Sequence, residues 1–190
     1  MKKLVIVSVF VLFLIVVTLL AQTQSNKVID LILSSYTTRS FSEAPVTDVQ
    51  IEQILKCGMK APSAMNSQPW RFTVVKDMTK VKGLFRNIKS GNVVIIISTL
   101  EPAPRGINAD FDCALATENM FIAAQSLKLG ACIYTGPLRL MDDNMRESLE
   151  LPEGYRVVAL LRIGNIKEEV DATSSASARK EMKEVINYLK

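Results

Sequence analysis

The chain has 190 residues, of which 48% are hydrophobic and 22% are charged, as expected for one folded domain with a sizeable core. Its formal net charge is +4, but no basic patch with interleaved aromatic residues is present, so the sequence does not predict nucleic-acid binding. The chain has no histidine, which excludes Ser-His-Asp and Cys-His catalytic units and every histidine-ligated metal site.

The three cysteines do not form a recognisable redox or metal motif. Cys57, Cys113 and Cys132 are widely spaced and contain no C-x-x-C pair, which argues against a zinc ribbon and against thioredoxin chemistry. Two fall in helix-like stretches and one in a strand-like stretch, so we expect all three to be small buried apolar residues. An odd number in an exported protein leaves at least one thiol free unless a partner chain supplies another.

The first 25 residues have the pattern of an export signal. Met1-Lys2-Lys3 precedes an apolar run from Leu4 to Leu20, and a polar stretch follows. The run lies between the usual lengths of a signal peptide and a transmembrane helix, so residues 1–25 are interpreted as a signal peptide or, alternatively, as an N-terminal membrane anchor. The two lysines favour a cytoplasmic N-terminus, which predicts that the domain formed by residues 26–190 lies outside the cytoplasm.

Two helices are predicted before the middle of the chain. Residues 27–34 form a short amphipathic pattern, and a hydroxyl-rich stretch without periodicity follows over residues 35–41. A second helix begins after Thr47, with Gln50 completing a capping box. The apolar stripe of this helix comprises Val49, Ile51, Ile54, Leu55 and Met59.

The loop over residues 61–70, with the sequence Ala-Pro-Ser-Ala-Met-Asn-Ser-Gln-Pro-Trp, is the most distinctive stretch. Its two prolines restrict the backbone, so we expect an ordered connection that is neither a helix nor a central strand. Ser63, Asn66 and Gln68 offer hydrogen bonds from this stiff backbone, which would suit a bound ring system. The residues alone equally allow an ordered turn whose side chains bond to their own backbone.

The second half mixes strands and helices without regular alternation. A strand is expected over 71–75, a helix capped by Asp77 through Ile88, and a fully buried strand over 92–98. The longest helix is expected over 110–128, and because it is apolar around much of its circumference we expect it at the centre of the fold. The remaining predictions are a strand over 131–134, a helix over 142–149, a strand over 155–163, a polar linker over 171–178 and a helix over 179–189. No G-x-G-x-x-G follows a strand, so the pattern predicts an α+β domain.

Three blocks of the sequence together resemble the nitroreductase family of flavin mononucleotide (FMN)-dependent oxidoreductases. The first is Ala61-Pro62-Ser63-x-x-Asn66-x-Gln68-Pro69-Trp70, preceded by Thr38-Arg39-Ser40-Phe41. The second runs from Ala116 to Ala124 and continues to Leu129-Gly130 and Thr135-Gly136, and the third is the strand from Val157 to Ile163 with Gly164. The resemblance extends from about residue 30 to the C-terminus.

The resemblance implies a homodimer of α+β subunits, each with a mainly antiparallel central sheet flanked by helices. One FMN is expected in each of two clefts at the subunit interface. The implied activity passes two electrons from a reductant, NAD(P)H in the first instance, to a nitroaromatic, quinone or similar acceptor by a ping-pong mechanism. Two alternatives stay open: a reductive dehalogenase-like enzyme, and a non-catalytic flavin- or ligand-binding dimer on the same fold.

The resemblance also implies roles for single residues. Arg39 matches the basic residue at the pyrimidine edge of the flavin, where a guanidinium stabilises the negative charge of the reduced form. Thr135 and Gly136 match the segment whose backbone faces flavin N5, which requires no acid or base. Further cofactor-binding residues implied by their motif positions are Pro62, Ser63 and Asn66 at the flavin or its ribityl chain, and Arg179 at the phosphate.

Three departures from the family pattern are visible. Many members have Arg-Arg-Ser or Arg-His-Ser where this chain has Ser35-Tyr36-Thr37, so the usual first phosphate-binding arginine is absent, and Ser35 and Thr37 are left to donate hydrogen bonds. Lys128 replaces the first glycine of the usual Gly-Leu-Gly, a change expected to be harmless at a helix end. The stretch between Ser98 and Asp110 is short, which predicts an open cleft with broad substrate tolerance.

Overall fold

The computed structural model describes residues 26–103, 105–167 and 179–189. The chain divides into two compact units, residues 1–34 and residues 35–190. In the first unit the described residues form helix α1 (Lys27–Ser34), with Asn26 Oδ1 accepting a hydrogen bond from Val28 N at 3.0 Å. Within the described ranges no helix is both long and apolar enough to cross a membrane. The predicted signal or anchor and the predicted polar linker lie outside these ranges.

The second unit is built on one four-stranded sheet. Its strands are β1 (Trp70–Val75), β2 (Val93–Leu100), β3 (Leu129–Tyr134) and β4 (Tyr155–Asn165), in the spatial order β1-β2-β4-β3. All three neighbouring pairs are antiparallel, with Ile96 opposite Leu160 and Ile133 opposite Leu161. The predicted α+β class with an antiparallel sheet is therefore confirmed.

Strand β2 is covered on both of its faces, as its unbroken apolar sequence predicted. Ile95 and Ile97 point into a cluster shared with the two long helices of the unit, whereas Val94 and Ile96 point into a second cluster on the opposite face. Every residue from Val93 to Thr99 is buried. The sheet thus separates two apolar layers, and strand β2 is buried on both sides from Val93 to Thr99.

One face of the sheet is covered by helices α2 (Asp48–Met59) and α3 (Ala109–Ser126). The predicted capping box is present, since Thr47 Oγ1 accepts from Gln50 N at 3.3 Å and Gln50 Oε1 accepts from Thr47 N at 3.0 Å. A Cβ atom on Gly58 would lie 2.6 Å from Met120 Cγ, so the glycine allows the two helices to approach closely. Both helices nevertheless keep one solvent-exposed face.

Some predicted apolar positions are solvent-exposed. Val49 and Met59, assigned to the buried stripe of α2, are 66% and 60% exposed because the stripe is narrower than expected and comprises Ile51, Ile54 and Gly58. Phe111 on α3 is 60% exposed, yet α3 packs against α2 and all four strands, as expected for the helix at the centre of the fold. Cys57 is exposed as well, whereas Cys113 and Cys132 are buried as expected.

The helix predicted around residues 142–149 is present, but two other predicted helices differ from their predictions. Residues Met78–Leu84 form a 3₁₀-helix instead of an α-helix through Ile88, and its buried residues Met78, Val81 and Leu84 follow the three-residue repeat of that helix type. Helix α4 is Asp143–Ser148, and α5 is only Met182–Val185. All residues from 179 to 189 are exposed, so no buried face stabilises a longer terminal helix.

Candidate functional site

Arg39 and the segment after β3 meet at one cavity. This cavity, of about 320 Å³, is lined by Arg39, Tyr134 and Pro137 among others. Tyr134 and Pro137 flank Thr135 and Gly136, which do not themselves line the cavity. Two residues that the sequence did not single out, Arg86 and Arg162, also line the cavity.

A second and larger cavity adjoins the first. It has a volume of about 600 Å³ and shares Arg39, Arg86 and Asn87 with its neighbour. Lys89 and Lys167 add positive charge to its lining. The only carboxylate in this lining is that of Glu43, whose Oε1 lies 3.4 Å from Lys89 Nζ. We call the two adjoining cavities together the cationic cleft. Its three arginines are Arg39, Arg86 and Arg162.

The segment over residues 38–42, which contains Arg39, is held by main-chain hydrogen bonds to residues at the end of the sheet. Thr38 N donates to the carbonyl of Ala131 at 2.9 Å, and Phe41 forms an antiparallel bridge with Ile166. The close approach depends on glycine, because a Cβ on Gly130 would lie 2.6 Å from Thr38 Cγ2. Ser40, Phe41 and Ser42 continue from Arg39 along the wall of the larger cavity.

Ser35 and Thr37, proposed from the sequence as phosphate donors, lie on the same segment and are half-buried. Neither lines either cavity of the cationic cleft. Between them, Tyr36 N donates to Gln125 Oε1 at 3.1 Å. The Tyr36 hydroxyl and Gln125 Nε2 are buried without a partner in the part of the chain that the structure describes.

The loop over residues 61–70 is ordered by an unusual backbone. Met65, Asn66 and Gln68 have φ values of 51°, 55° and 45°, a left-handed conformation that costs other residues more than glycine. Ser63 Oγ accepts from Gln68 N at 3.0 Å, and Gln68 Nε2 donates to Asn66 Oδ1 at 3.3 Å. The self-bonded turn that the sequence left open is thus present, although Asn66 remains exposed.

Asp112 on α3 anchors this loop, although no pattern in the sequence singled it out. The residue is 3% exposed, and its carboxylate accepts from Ala64 N at 3.1 Å and from Ser67 Oγ at 3.4 Å. In the sequence it is one of several acids at the start of a helix, where a solvated residue is the ordinary expectation. Its role is visible only once the loop is placed against α3.

The predicted site residues fall into separate groups within the described part of the chain. Pro62, Ser63 and Asn66 do not line the cationic cleft. Arg179 is exposed and does not line it either. Of the residues predicted from the sequence, Arg39 lines the cleft, Thr135 and Gly136 lie between two residues that line it, and the others do not line it.

The cleft combines positive charge with groups that stay neutral. Burial raises the pKa of Tyr134 to about 12, although the nearby Arg162 guanidinium opposes this shift. Burial also raises the pKa of the Cys132 thiol, which keeps it protonated near neutral pH. No cluster of three or more acidic or cysteine residues able to hold a metal occurs among the described residues. The geometry is suited to an anionic organic ligand.

Comparison with known proteins gives the same family as the sequence motifs. The profile of the Nitroreductase family matches residues 32–89 and 79–165. An Archaeoglobus fulgidus protein assigned as an NADH dehydrogenase/NAD(P)H nitroreductase is 34% identical over 149 residues, covering 72% of this chain and 85% of the relative. The NADPH-flavin oxidoreductase of Vibrio harveyi is 27% identical over 161 residues, covering 74% of this chain and 66% of the relative.

Solved structures agree on the fold. The nitroreductase with bound FMN from Bacteroides fragilis superposes with a TM-score of 0.72 at 22% identity, covering 87% of this chain and 100% of that one. A nitroreductase with bound FMN from Desulfitobacterium hafniense gives 0.71 at 21% identity, covering 88% and 100%. With the profile match over most of the described residues and a relative above 30% identity, this chain belongs to the nitroreductase family.

Proposed function

We propose that the protein is an FMN-dependent oxidoreductase that passes two electrons from a reductant, NAD(P)H in the first instance, to a nitroaromatic, quinone or similar acceptor. The observation that supports this most directly is the cationic cleft, in which Arg39, Arg86 and Arg162 line one cavity that has no carboxylate in its lining. Relatives named as nitroreductase, NADPH-flavin oxidoreductase and FMN reductase support the same chemistry.

The residues of the cleft fit FMN by charge. Flavin chemistry places negative charge on the pyrimidine edge upon reduction, and guanidinium groups stabilise such charge with hydrogen bonds of about 1.5–3 kcal/mol each. Arg39 and Arg86 would hold that edge. The backbone at Thr135 and Gly136 would orient the ring, and Ser35, Thr37 and Arg179 would hold the phosphate.

The loop over residues 61–70 suggests how a second subunit contributes. Pro62, Ser63 and Asn66 are proposed to contact the cofactor, yet within one subunit they do not line the cationic cleft. We infer that the loop of one copy completes the cleft of another, in a homodimer. Met65 at the tip of this loop is 80% exposed, which leaves the loop accessible to a partner.

Bound FMN would supply the electron chemistry, and the chain would supply binding and orientation. Donor and acceptor would use the same open cleft in turn, as a ping-pong cycle requires. No general acid or base is needed from the protein, which agrees with the absence of histidine. Reductive dehalogenation is the rival within the same site, and assays with halogenated phenols separate it from nitro- or quinone reduction.

The expected location affects the choice of donor. We propose that the domain lies outside the cytoplasm, after a cleaved signal or beside a retained anchor over residues 1–25. NAD(P)H is not expected outside the cytoplasm, so an exported form would use another reductant. Comparing the mass of the mature protein with that of the full chain distinguishes cleavage from anchoring.

The proposed function is tested by cofactor retention. The purified protein is incubated with FMN, freed of excess ligand by gel filtration, and its visible absorption spectrum is recorded. We expect a retained flavin spectrum that NAD(P)H or dithionite bleaches and a quinone restores. A colourless protein that gives no turnover with any reductant would instead favour the non-catalytic binding protein.

Arg39→Gln should weaken FMN binding about tenfold, because one ionic hydrogen bond at the pyrimidine edge is lost. Arg105→Gln is the matched control. Arg105 is exposed and lines neither cavity, and the substitution removes the same positive charge. Titration of FMN fluorescence measures both constants. Equal constants for the two variants would contradict the role proposed for Arg39.

A further inference from the structure

Arg162 is a buried charge that has no counter-charge among the described residues. It lies on central strand β4 and is 3% exposed. Its Nε donates to Asn92 Oδ1 at 2.8 Å and its Nη2 donates to the carbonyl of Asn87 at 2.6 Å, both neutral acceptors. In the described ranges of the chain no carboxylate lies within ion-pair distance of it. Burying a charge in this way is costly, and a protein usually offsets the cost with a paired carboxylate.

Asn92 occupies the position where a carboxylate would fit. It is 2% exposed, and its Oδ1 accepts from Arg162 Nε and from Lys89 N, the latter at 3.2 Å. Its Nδ2 is buried and has no partner among the described residues. Aspartate has the same shape, would accept both hydrogen bonds, and would remove the unpartnered amide donor. The chain therefore has an asparagine where an aspartate would neutralise Arg162 and keep both hydrogen bonds.

The uncompensated charge faces the cationic cleft. Arg162 lines the smaller cavity together with Arg39 and Arg86. Its Cζ also lies 4.2 Å from the centre of the Phe41 ring, two residues after Arg39, and its bond to Asn87 fixes the residue after Arg86. The Arg162 side chain thus contacts the segment that contains Arg39 and the segment that contains Arg86, and it contributes a third positive charge to the cavity.

We propose that Arg162 is kept without a counter-charge in order to stabilise the reduced, anionic form of the flavin, and that it thereby sets the reduction potential. This inference rests on the proposed function. Transfer of a hydride from a nicotinamide delivers two electrons and one proton, so the nicotinamide leaves as a cation and the flavin gains one negative charge. A cation in a partly desolvated cleft favours that product over oxidised FMN.

The inference is tested with Asn92→Asp in the full chain. Three quantities are measured: the melting temperature without FMN, the dissociation constant of oxidised FMN, and the midpoint potential of the bound flavin against a reference dye. We expect a higher melting temperature, because a buried ion pair replaces a lone charge and an unpartnered donor. We also expect the reduced form to lose about tenfold more affinity than the oxidised form, which lowers the potential by about 30 mV for two electrons.

Asn144→Asp is the matched control. Asn144 is exposed on α4 and lines neither cavity, and the substitution introduces the same negative charge as Asn92→Asp. We expect it to leave the potential and the melting temperature unchanged. A potential in Asn92→Asp equal to that of the unaltered protein would overturn the inference, as would an Asn92→Asp variant that fails to fold. Failure of the unaltered protein to retain FMN is a different result, which would overturn the proposed function.

A second pair of variants separates charge from packing. Arg162→Lys keeps the charge but loses the planar pair of hydrogen bonds, whereas Arg162→Met loses both. We expect the potential of Arg162→Lys to lie closer to that of the unaltered protein. Equal potentials in the two variants would assign Arg162 a packing role only and overturn the inference.

Discussion

The loop over residues 61–70 and the segment over residues 38–42 both bear family motifs, but they are held in opposite ways. The segment is fixed by main-chain hydrogen bonds to the sheet and by glycines that leave room for it. The loop takes up left-handed backbone at three residues and is anchored by the buried carboxylate of Asp112. The position of the segment over residues 38–42 therefore depends on the space that glycines leave for it. The conformation of the loop over residues 61–70 depends on hydrogen bonds to one side chain.

The largest expected effect on stability comes from filling the space between Gly130 and the segment over residues 38–42. In Gly130→Ala the new Cβ would lie 2.6 Å from Thr38 Cγ2 and 2.8 Å from Thr38 Cβ, and Thr38 is 2% exposed and bonded to Ala131. Overpacking of this kind should cost about 3 kcal/mol in the free energy of unfolding, measured by urea denaturation. Gly136→Ala is the control, since no atom lies within 4 Å of its Cβ, and a similar loss there would contradict the steric explanation.

A smaller effect is expected from removing the anchor of the loop. Asp112→Ala leaves Ala64 N and Ser67 Oγ without their acceptor, which should cost about 2 kcal/mol in the free energy of unfolding. Limited proteolysis should cut within residues 61–70 while residues 38–42 stay protected. Asp143→Ala, at an exposed position on α4, is the control and should change neither quantity appreciably. Cleavage in both regions at once would mean that they are not independent.

The smallest expected effect is a gain in stability, produced by replacing Lys128. Lys128, which precedes β3 and the close contact at Gly130, has a φ of 61°, a conformation that glycine adopts without strain. Lys128→Gly should therefore stabilise the protein by about 0.5–1 kcal/mol, a result that would overturn the expectation that a lysine there is harmless. Lys60→Gly, at a helix end with a φ of −86°, is the control and should give no gain. Thermal denaturation compares the two variants.

Local patterns in the sequence predicted the framework of the fold. The capping box at Thr47, the doubly covered strand β2 and the antiparallel α+β class follow from signals that span a few residues each. The exposure of Val49 and Met59 did not follow, because helical periodicity does not determine how wide a buried stripe will be. The shortened terminal helix also depends on tertiary burial, which is absent over residues 179–189.

The candidate site was predicted only in part, for a related reason. Arg39 was singled out through its motif position and lines the cleft, as do Tyr134 and Pro137 on either side of Thr135 and Gly136. Asp112 and Arg162 were not found, because a charged residue within an apolar helix or strand is normally expected to face solvent. Their burial depends on partners more than 40 residues away in the chain, at Ala64 and Asn92 respectively.

The pairing of β2 with β4 has a consequence for synthesis of the protein. Ile96 pairs with Leu160, so the apolar run from Val93 to Ile97 has no partner on one edge until most of the chain has left the ribosome. Pairings over such distances form slowly, and a short apolar β-rich run without charge is prone to intermolecular strand association. We therefore expect yield in recombinant expression to fall with rising growth temperature, and chaperone binding to concentrate on residues 93–97.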